Sequence, residues 1–191
     1  RFLSNKHNAY SQYAILHNII GGFHNEENNV DSMLYHYQKT YDYAELAGWK
    51  QGMVVGLGNL AEVYFVQGNY EKSLNTHHQV LKLSRDIEDA QGVFEELFYI
   101  AEIHKTTGKI DSAVFYGNKA LEFAKKYSYT NQERNTYKFM AEINELKGNN
   151  GKALNYFKQY IRLHDSLFNL EREANTNELI TKYETEKKEQ Q

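Results

Sequence analysis

The sequence predicts an all-α protein built as a stack of antiparallel helix pairs, and three observations predict it. The triplet Ala61-Glu62-Val63 returns as Ala101-Glu102-Ile103 and as Ala141-Glu142-Ile143, each time 40 residues on. The glycine behind it keeps the same step, as Gly68, Gly108 and Gly148. No proline occurs in 191 residues, so nothing in the sequence forces a helix to break. A fixed period in this range marks stacked supersecondary units that bury their apolar faces against one another.

Composition bounds the rest. With 41% hydrophobic residues and 14% aromatic ones, led by 16 tyrosines, the chain has enough apolar surface for packed helices and is not a disordered one. The repeat makes its 191 residues one array, although length alone would allow two small domains. A net charge of -3 with mixed signs leaves no basic stripe, which argues against direct nucleic-acid binding by this segment. Without cysteine there are no disulfides and no thiolate metal sites, and either redox compartment fits. No apolar run is long enough for a bilayer and no signal peptide opens the chain. Because it begins at Arg1 without Met, we expect a piece of a longer protein, with any membrane tether outside it.

Taken in order, residues 1–7 align one period back from 41–47, and so are expected to end the second helix of an earlier unit. Residues 8–23 carry Tyr10, Ala14, Ile15 and Ile19 at helical spacing. The turn at 24–29 has Asn28 where later units have glycine, and Asn also tolerates the left-handed conformation. Residues 30–47 form the partner helix, with Val30, Met33, Leu34, Tyr37 and Tyr41 on one side and Gly48 closing it.

The next unit is the clearest. Leu57, Leu60, Ala61 and Tyr64 fall on one face of a helix, a packed stripe with a small residue where a neighbour must approach. Gly68-Asn69-Tyr70 turns the chain, and Tyr70, Leu74, Val80, Leu81 and Leu83 mark the second helix, with 85–90 as a polar connector. The third unit repeats this with Leu97, Ile100, Ala101 and His104, then Gly108, then Ala113, Ala120, Leu121 and Ala124. The fourth has Tyr137, Met140, Ala141 and Asn144, then Gly148, then Ala153, Phe157, Tyr160 and Ile161 as its packed positions. The units therefore run over about 8–47, 50–87, 90–127 and 130–166. From Asp165 onward the copy is lost, but helical composition persists over 167–191, with Glu178–Lys182 and Glu184–Lys188 as i,i+4 pairs and apolar residues thinning after Leu179, Ile180 and Tyr183. This segment reads either as a capping helix or as the root of a coiled coil or linker helix that could join two copies of the chain.

The pattern of Leu60-Ala61, Tyr64, Gly68, Tyr70 and Leu81, with Ala101, Gly108, Ala113 and Ala120-Leu121 in one sister unit and Ala141, Gly148, Ala153 and Phe157 in another, resembles the tetratricopeptide repeat over residues 9–165. The period is longer than the family's usual one and its closing proline is missing. The resemblance implies a right-handed α-solenoid that binds proteins or peptides and is not an enzyme. The segment Leu163-His164-Asp165-Ser166-Leu167, with Leu179 through Lys188 behind it, is similar to the end of the repeat region in bacterial two-component histidine kinases and membrane-linked helix-turn-helix regulators. That likeness implies the sensory, extracytoplasmic region of a bacterial signal-transduction protein; a free-standing cytoplasmic scaffold or peptide receptor is the alternative.

Residues opposite each packed stripe are the candidates for a concave binding face. They include Glu62 and Phe65 in one unit, Glu95, Phe98, Glu102 and Lys105 in the next, and Lys138, Glu142 and Glu145 in the last. Glu62, Glu102 and Glu142 stand one period apart as an acidic ladder, the wrong sign for gripping a carboxylate, and so point to a basic or neutral peptide. The other reading of the ladder is a solvated helix face.

No chemistry competes with binding. The histidines are scattered and His77-His78, being adjacent, diverge by about 100° on a helix, so no metal site is expected. His104 stands where a sister unit has Tyr64, a packing position. Gly21-Gly22 is not a phosphate loop, because no strand precedes it, and is better explained by close packing. Neither a nucleophile-base setting nor paired carboxylates in an apolar pocket is present, so no catalysis and no cofactor are expected.

Overall fold

Six short turns, each built the same way, set the architecture from α2 onward. The computed structural model describes residues 2–27 and 29–189. Asn28 and the side chains of Glu178, Leu179, Ile180, Tyr183, Glu184 and Lys188 lie outside the described residues, and with them the turn residue and the two ion pairs expected there. Among the described residues there are eight helices and no strand: α1 (Phe2–Glu26), α2 (Val30–Leu46), α3 (Lys50–Val66), α4 (Tyr70–Asp86), α5 (Ala90–Thr106), α6 (Ile110–Lys126), α7 (Thr130–Leu146) and α8 (Asn150–Glu189).

The 40-residue step is in fact two equal steps of 20. Helix starts fall at Val30, Lys50, Tyr70, Ala90, Ile110, Thr130 and Asn150, and α2 to α7 each have 17 residues. Each helix from α2 to α7 ends on one residue with positive φ: Gly48 (64°), Gly68 (74°), Glu88 (57°), Gly108 (72°), Ser128 (57°) and Gly148 (78°). At Gly68 its N–H donates to the Phe65 carbonyl at 2.9 Å, while the N–H of Asn69 reaches back to the Tyr64 carbonyl at 2.8 Å. This paired closure satisfies carbonyls that the end of a helix leaves open, and it recurs at every one of these turns. The third turn residue then starts the next helix, and Asn29 and Asp89 add side-chain caps by accepting from the N–H groups of Ser32 (3.3 Å) and Gly92 (3.0 Å).

The chain divides into two compact units, Arg1–Phe123 and Ala124–Gln191. In the first, α1 packs on α2, α2 on α3, α3 on α4 and α4 on α5, and α1 also touches α3. Met33, Tyr37, Leu57, Leu60, Val63 and Val80 form its shared core. The predicted stripes are where contact is made: Ala61 and Ala101 are 0% exposed, and Leu57, Leu60, Leu97 and Ile100 are buried with them. His104 is buried and stacked on Tyr116, as a packing residue should be. Gly21 is a close contact as well, since a Cβ there would press on the Tyr37 ring, while Gly22 meets nothing. In the second unit α7 packs on α8, and Tyr137, Met140, Ala141 and Asn144 of α7 are buried.

Three expectations need correction. Residues 2–7 do not end a separate helix; they run on into α1, because Asn8, which stands where Gly48 closes α2, takes no left-handed turn. Phe157 and Ile161 are not buried: they are 48% and 40% exposed, Phe157 bordering an open groove beside Ala141 and Glu145 of α7. Finally, α8 passes through 166/167 without a break and is 40 residues long. The next left-handed position on the 20-residue step would fall on Phe168, a bulky residue that resists that conformation, so the helix continues.

Candidate functional site

The predicted site residues all lie on first helices of the repeat, α3, α5 and α7. Glu62 and Glu95 are exposed, and Phe65, Phe98, Glu102 and Lys105 are half-buried, with Phe98 stacked on Phe94 at 6.1 Å. In the second unit, Lys138 and Glu145 are exposed and Glu142 is half-buried on α7. Glu145 borders an open groove of about 280 Å³ with Ala141, Asn150, Ala153, Leu154 and Phe157.

Two cavities in the first unit are related by the repeat. One, of about 250 Å³, is lined by Asn25, Val30, Met33, Tyr37, Asn59, Glu62, Val63 and Val66. The other, of about 230 Å³, is lined by Glu62, Phe65, Val66, His77, Tyr99, Glu102 and Ile103. Forty residues separate Asn25 from Phe65, Tyr37 from His77, Asn59 from Tyr99, Glu62 from Glu102, and Val63 from Ile103. The same place in the fold is thus built twice with different side chains. Glu62 and Val66 belong to both cavities and form the wall between them. Of the predicted residues, Glu62, Phe65 and Glu102 come together in the second cavity, whereas Glu95, Phe98 and Lys105 do not line it. The cavity opens in the angle between a first helix and the preceding pair, so the face it uses is turned by about one residue from the predicted one.

His77, which lines the second cavity, belongs to a buried polar pair that sequence reasoning missed. His77 on α4 and Glu96 on α5 are 2% and 6% exposed, and the His77 Nδ1 lies 2.7 Å from the Glu96 Oε2. Burial pushes the Glu96 carboxyl above the usual carboxylate range, and the bond to His77 pulls the other way. The His77 ring stacks on Tyr99 at 5.2 Å and 23°. The signal that could have found it is the alignment itself: His77 occupies the column of buried Tyr37, and Glu96 the column of buried Gly56 and Thr136. His78, its neighbour, points elsewhere and meets Tyr116.

The electrostatics of the cavity are negative. The Tyr99 phenol is pushed up to about 12, first by burial and then by the charges of Glu62, Glu95, Glu96 and Glu102. Tyr37 in the first cavity is also raised, by burial and then by Glu62 alone among the carboxylates. One phenol therefore reports four carboxylates and the other reports one. Such a site favours cations and disfavours anions, and nothing in its lining supplies a nucleophile with an adjacent free base.

Histidines also meet at the other end of the first unit, where the Nδ1 atoms of His17 and His36 are 2.9 Å apart and His24 stacks on His36. Among the described residues no three His, Asp or Glu are grouped as a metal ion would need. Among them, too, no helix is long and apolar enough to cross a membrane.

Residues 53–126 match the family model described as Tetratricopeptide repeat. No curated protein matches the sequence. Among solved structures, the chain is similar to BtubC from P. vanneervenii (TM-score 0.74, 12% identity, 81% of this chain and 64% of that one) and to the apo form of RapI (0.76, 15%, 86% and 60%). It is also similar to a signal transduction ATPase with numerous domains and a tetratricopeptide repeat sensor from Pyrococcus horikoshii (0.70, 19%, 89% and 25%). The chain spans less than two thirds of each of these proteins, and at such identities the likeness is one of fold.

Proposed function

We propose that this chain, a tetratricopeptide-repeat protein by its match over 53–126 and its paired helices, is a non-catalytic scaffold that binds a protein or peptide of basic or neutral character. The observation that carries the reading is the pair of repeat-related cavities sharing Glu62. At about 250 and 230 Å³ each is smaller than a drug-sized ligand pocket, roughly 300 to 1,000 Å³, and suits one side chain of a longer ligand. Panning a random peptide library on the immobilised chain tests it. We expect enriched peptides that share a pattern and lose affinity to the Glu62→Gln variant; failure to enrich any peptide would overturn the reading.

The scaffold acts as the sensory input of a bacterial signal-transduction regulator, with its repeats in the extracytoplasmic space. Support comes from the likeness of its tail to sensor-protein segments and of its fold to a protein with a tetratricopeptide repeat sensor. Sequencing the parent gene on both sides tests this part: a membrane helix joined to a kinase or DNA-binding domain is expected, and a stop codon directly after Gln191 would refute it. A second copy of the chain is a further partner, through α8, where Leu154, Phe157, Phe168 and Leu170 are exposed. Sedimentation at twice 22.4 kDa is the expected result, and a monomer at all concentrations would exclude it.

A further inference from the structure

We infer that the two repeat-related cavities hold two side chains of one extended peptide, and that the cavity between α3 and α5 takes the basic one. This deepens the peptide-binding reading above and rests on it.

The geometry supplies the spacing. The cavities differ by one repeat, so their separation is that between successive first helices. Helices α1 and α3 are in contact, and packed helices lie about 8 to 10 Å apart. An extended chain covers that span in about three residues, at roughly 3.3 Å each. A folded partner element is too wide to enter either cavity, whereas a strand-like segment laid along the first helices can fill both.

The linings supply the chemistry. In the first cavity, Asn25, Asn59 and Tyr37 offer neutral polar groups beside Met33 and Val30, with Glu62 at its edge. This suits an uncharged side chain. The second keeps Glu62, adds Glu102, and exchanges Asn59 for Tyr99, Asn25 for Phe65 and Tyr37 for His77, whose Nδ1 is taken up by Glu96 at 2.7 Å. Carboxylates above an aromatic wall are the pairing that holds an ammonium or guanidinium group, through charge-assisted hydrogen bonds and the negative ring face. The raised Tyr99 phenol registers the same negative field. An acidic side chain would meet that field and be rejected, which gives the peptide its direction along the array as well as its affinity.

The test starts from the peptides enriched by panning. We expect an arginine or lysine about three residues from an uncharged residue. Exchanging that arginine for citrulline, its neutral isostere, should weaken binding about two- to fivefold, the range of a partly exposed charge pair. Glu102→Gln should weaken the arginine peptide to the same degree and leave the citrulline peptide unchanged, while Asn59→Ala should affect both equally. If Glu102→Gln does not fold, competition on the unaltered chain decides instead: Nα-acetyl-arginine amide should displace the peptide and Nα-acetyl-citrulline amide should not. Enriched peptides without a basic residue, or equal binding of arginine and citrulline forms, would overturn this inference and leave the peptide-binding reading in place. No enriched peptide at all would overturn both.

Discussion

The contact between α2 and α3 at Gly56 can be tested by adding one methyl group. A Cβ built at Gly56 would lie 2.7 Å from the Tyr41 backbone nitrogen, 3.0 Å from its Cα and 3.1 Å from its Cβ. Ordinary contacts begin near 3.4 Å, so the two helices would have to part by about 0.7 Å, and backbone cannot rotate away as a side chain can. Overpacking of this kind costs about 1 to 3 kcal/mol. Alanine returns about 1 kcal/mol of helix propensity over glycine, which blurs a single measurement. Gly58, two residues along the same helix, has nothing within 4 Å of its Cβ position and supplies the control. Gly58→Ala reports propensity alone, so the difference between the two variants isolates the contact. For a chain of 191 residues that difference corresponds to melting temperatures about 2 to 12 °C apart, Gly56→Ala being the lower, by far-ultraviolet circular dichroism. If Gly56→Ala melts at or above Gly58→Ala, the packing of α2 on α3 has been misassigned.

Other outcomes follow from the turns, the stripes and the histidines. Glu88 is held at a φ of 57°, where an L-residue loses roughly 1 to 2 kcal/mol, so Glu88→Gly should gain about 0.5 to 1 kcal/mol in urea denaturation after its extra unfolded-state entropy. Gly68→Ala, with open space around it, should lose about 1 kcal/mol for the backbone alone; equal midpoints for both variants would refute the account of the turns. Ala101→Leu, at a fully buried position of the packed stripe, should cost about 1 to 3 kcal/mol, and an unaltered melting temperature would mean the stripe is misplaced. Burial first, then nearby positive groups, hold His17, His36, His78 and His104 below their ordinary value of 6.5. With a depressed pKa the unfolded chain takes the proton first, so the stability these rings contribute is whole above about 6.5 and is lost as pH falls through their folded values. Melts from pH 7.5 to 5 should show that decline, and a His17→Gln/His36→Gln double variant should show less of it; a slope the double variant leaves unchanged would refute the assignment.

How much of this could be read from the sequence depended on which residue types a position demands. The 40-residue step was plain because Gly68, Gly108 and Gly148 mark it. The 20-residue half-step was hidden because Glu88 and Ser128 fill two of the left-handed positions. The requirement there is on the main chain, and glycine is only its cheapest solution. The packed stripes were legible because burial on one helix face imposes a period on that helix alone. The cavity was legible only in part, since Glu62, Phe65 and Glu102 follow from the stripe while His77 and Tyr99 depend on how α4 and α5 meet. The missing half was latent in the repeat, where His77 stands in the column of the buried Tyr37. The exposed side of α8 was not legible, because Phe157 and Ile161 have the spacing of packed residues whether or not a further helix covers them.

The most direct measurement is a methyl-labelled NMR titration of the unaltered chain with a panned basic peptide. Val63, Val66 and Ile103 line the two cavities, whereas Val80 sits in the core and Leu154 and Leu170 lie on α8. Binding as described here would shift the methyl signals of Val63, Val66 and Ile103 and leave those of Leu154 and Leu170 in place. Shifts concentrated on α8, with the cavity methyls unmoved, would contradict it.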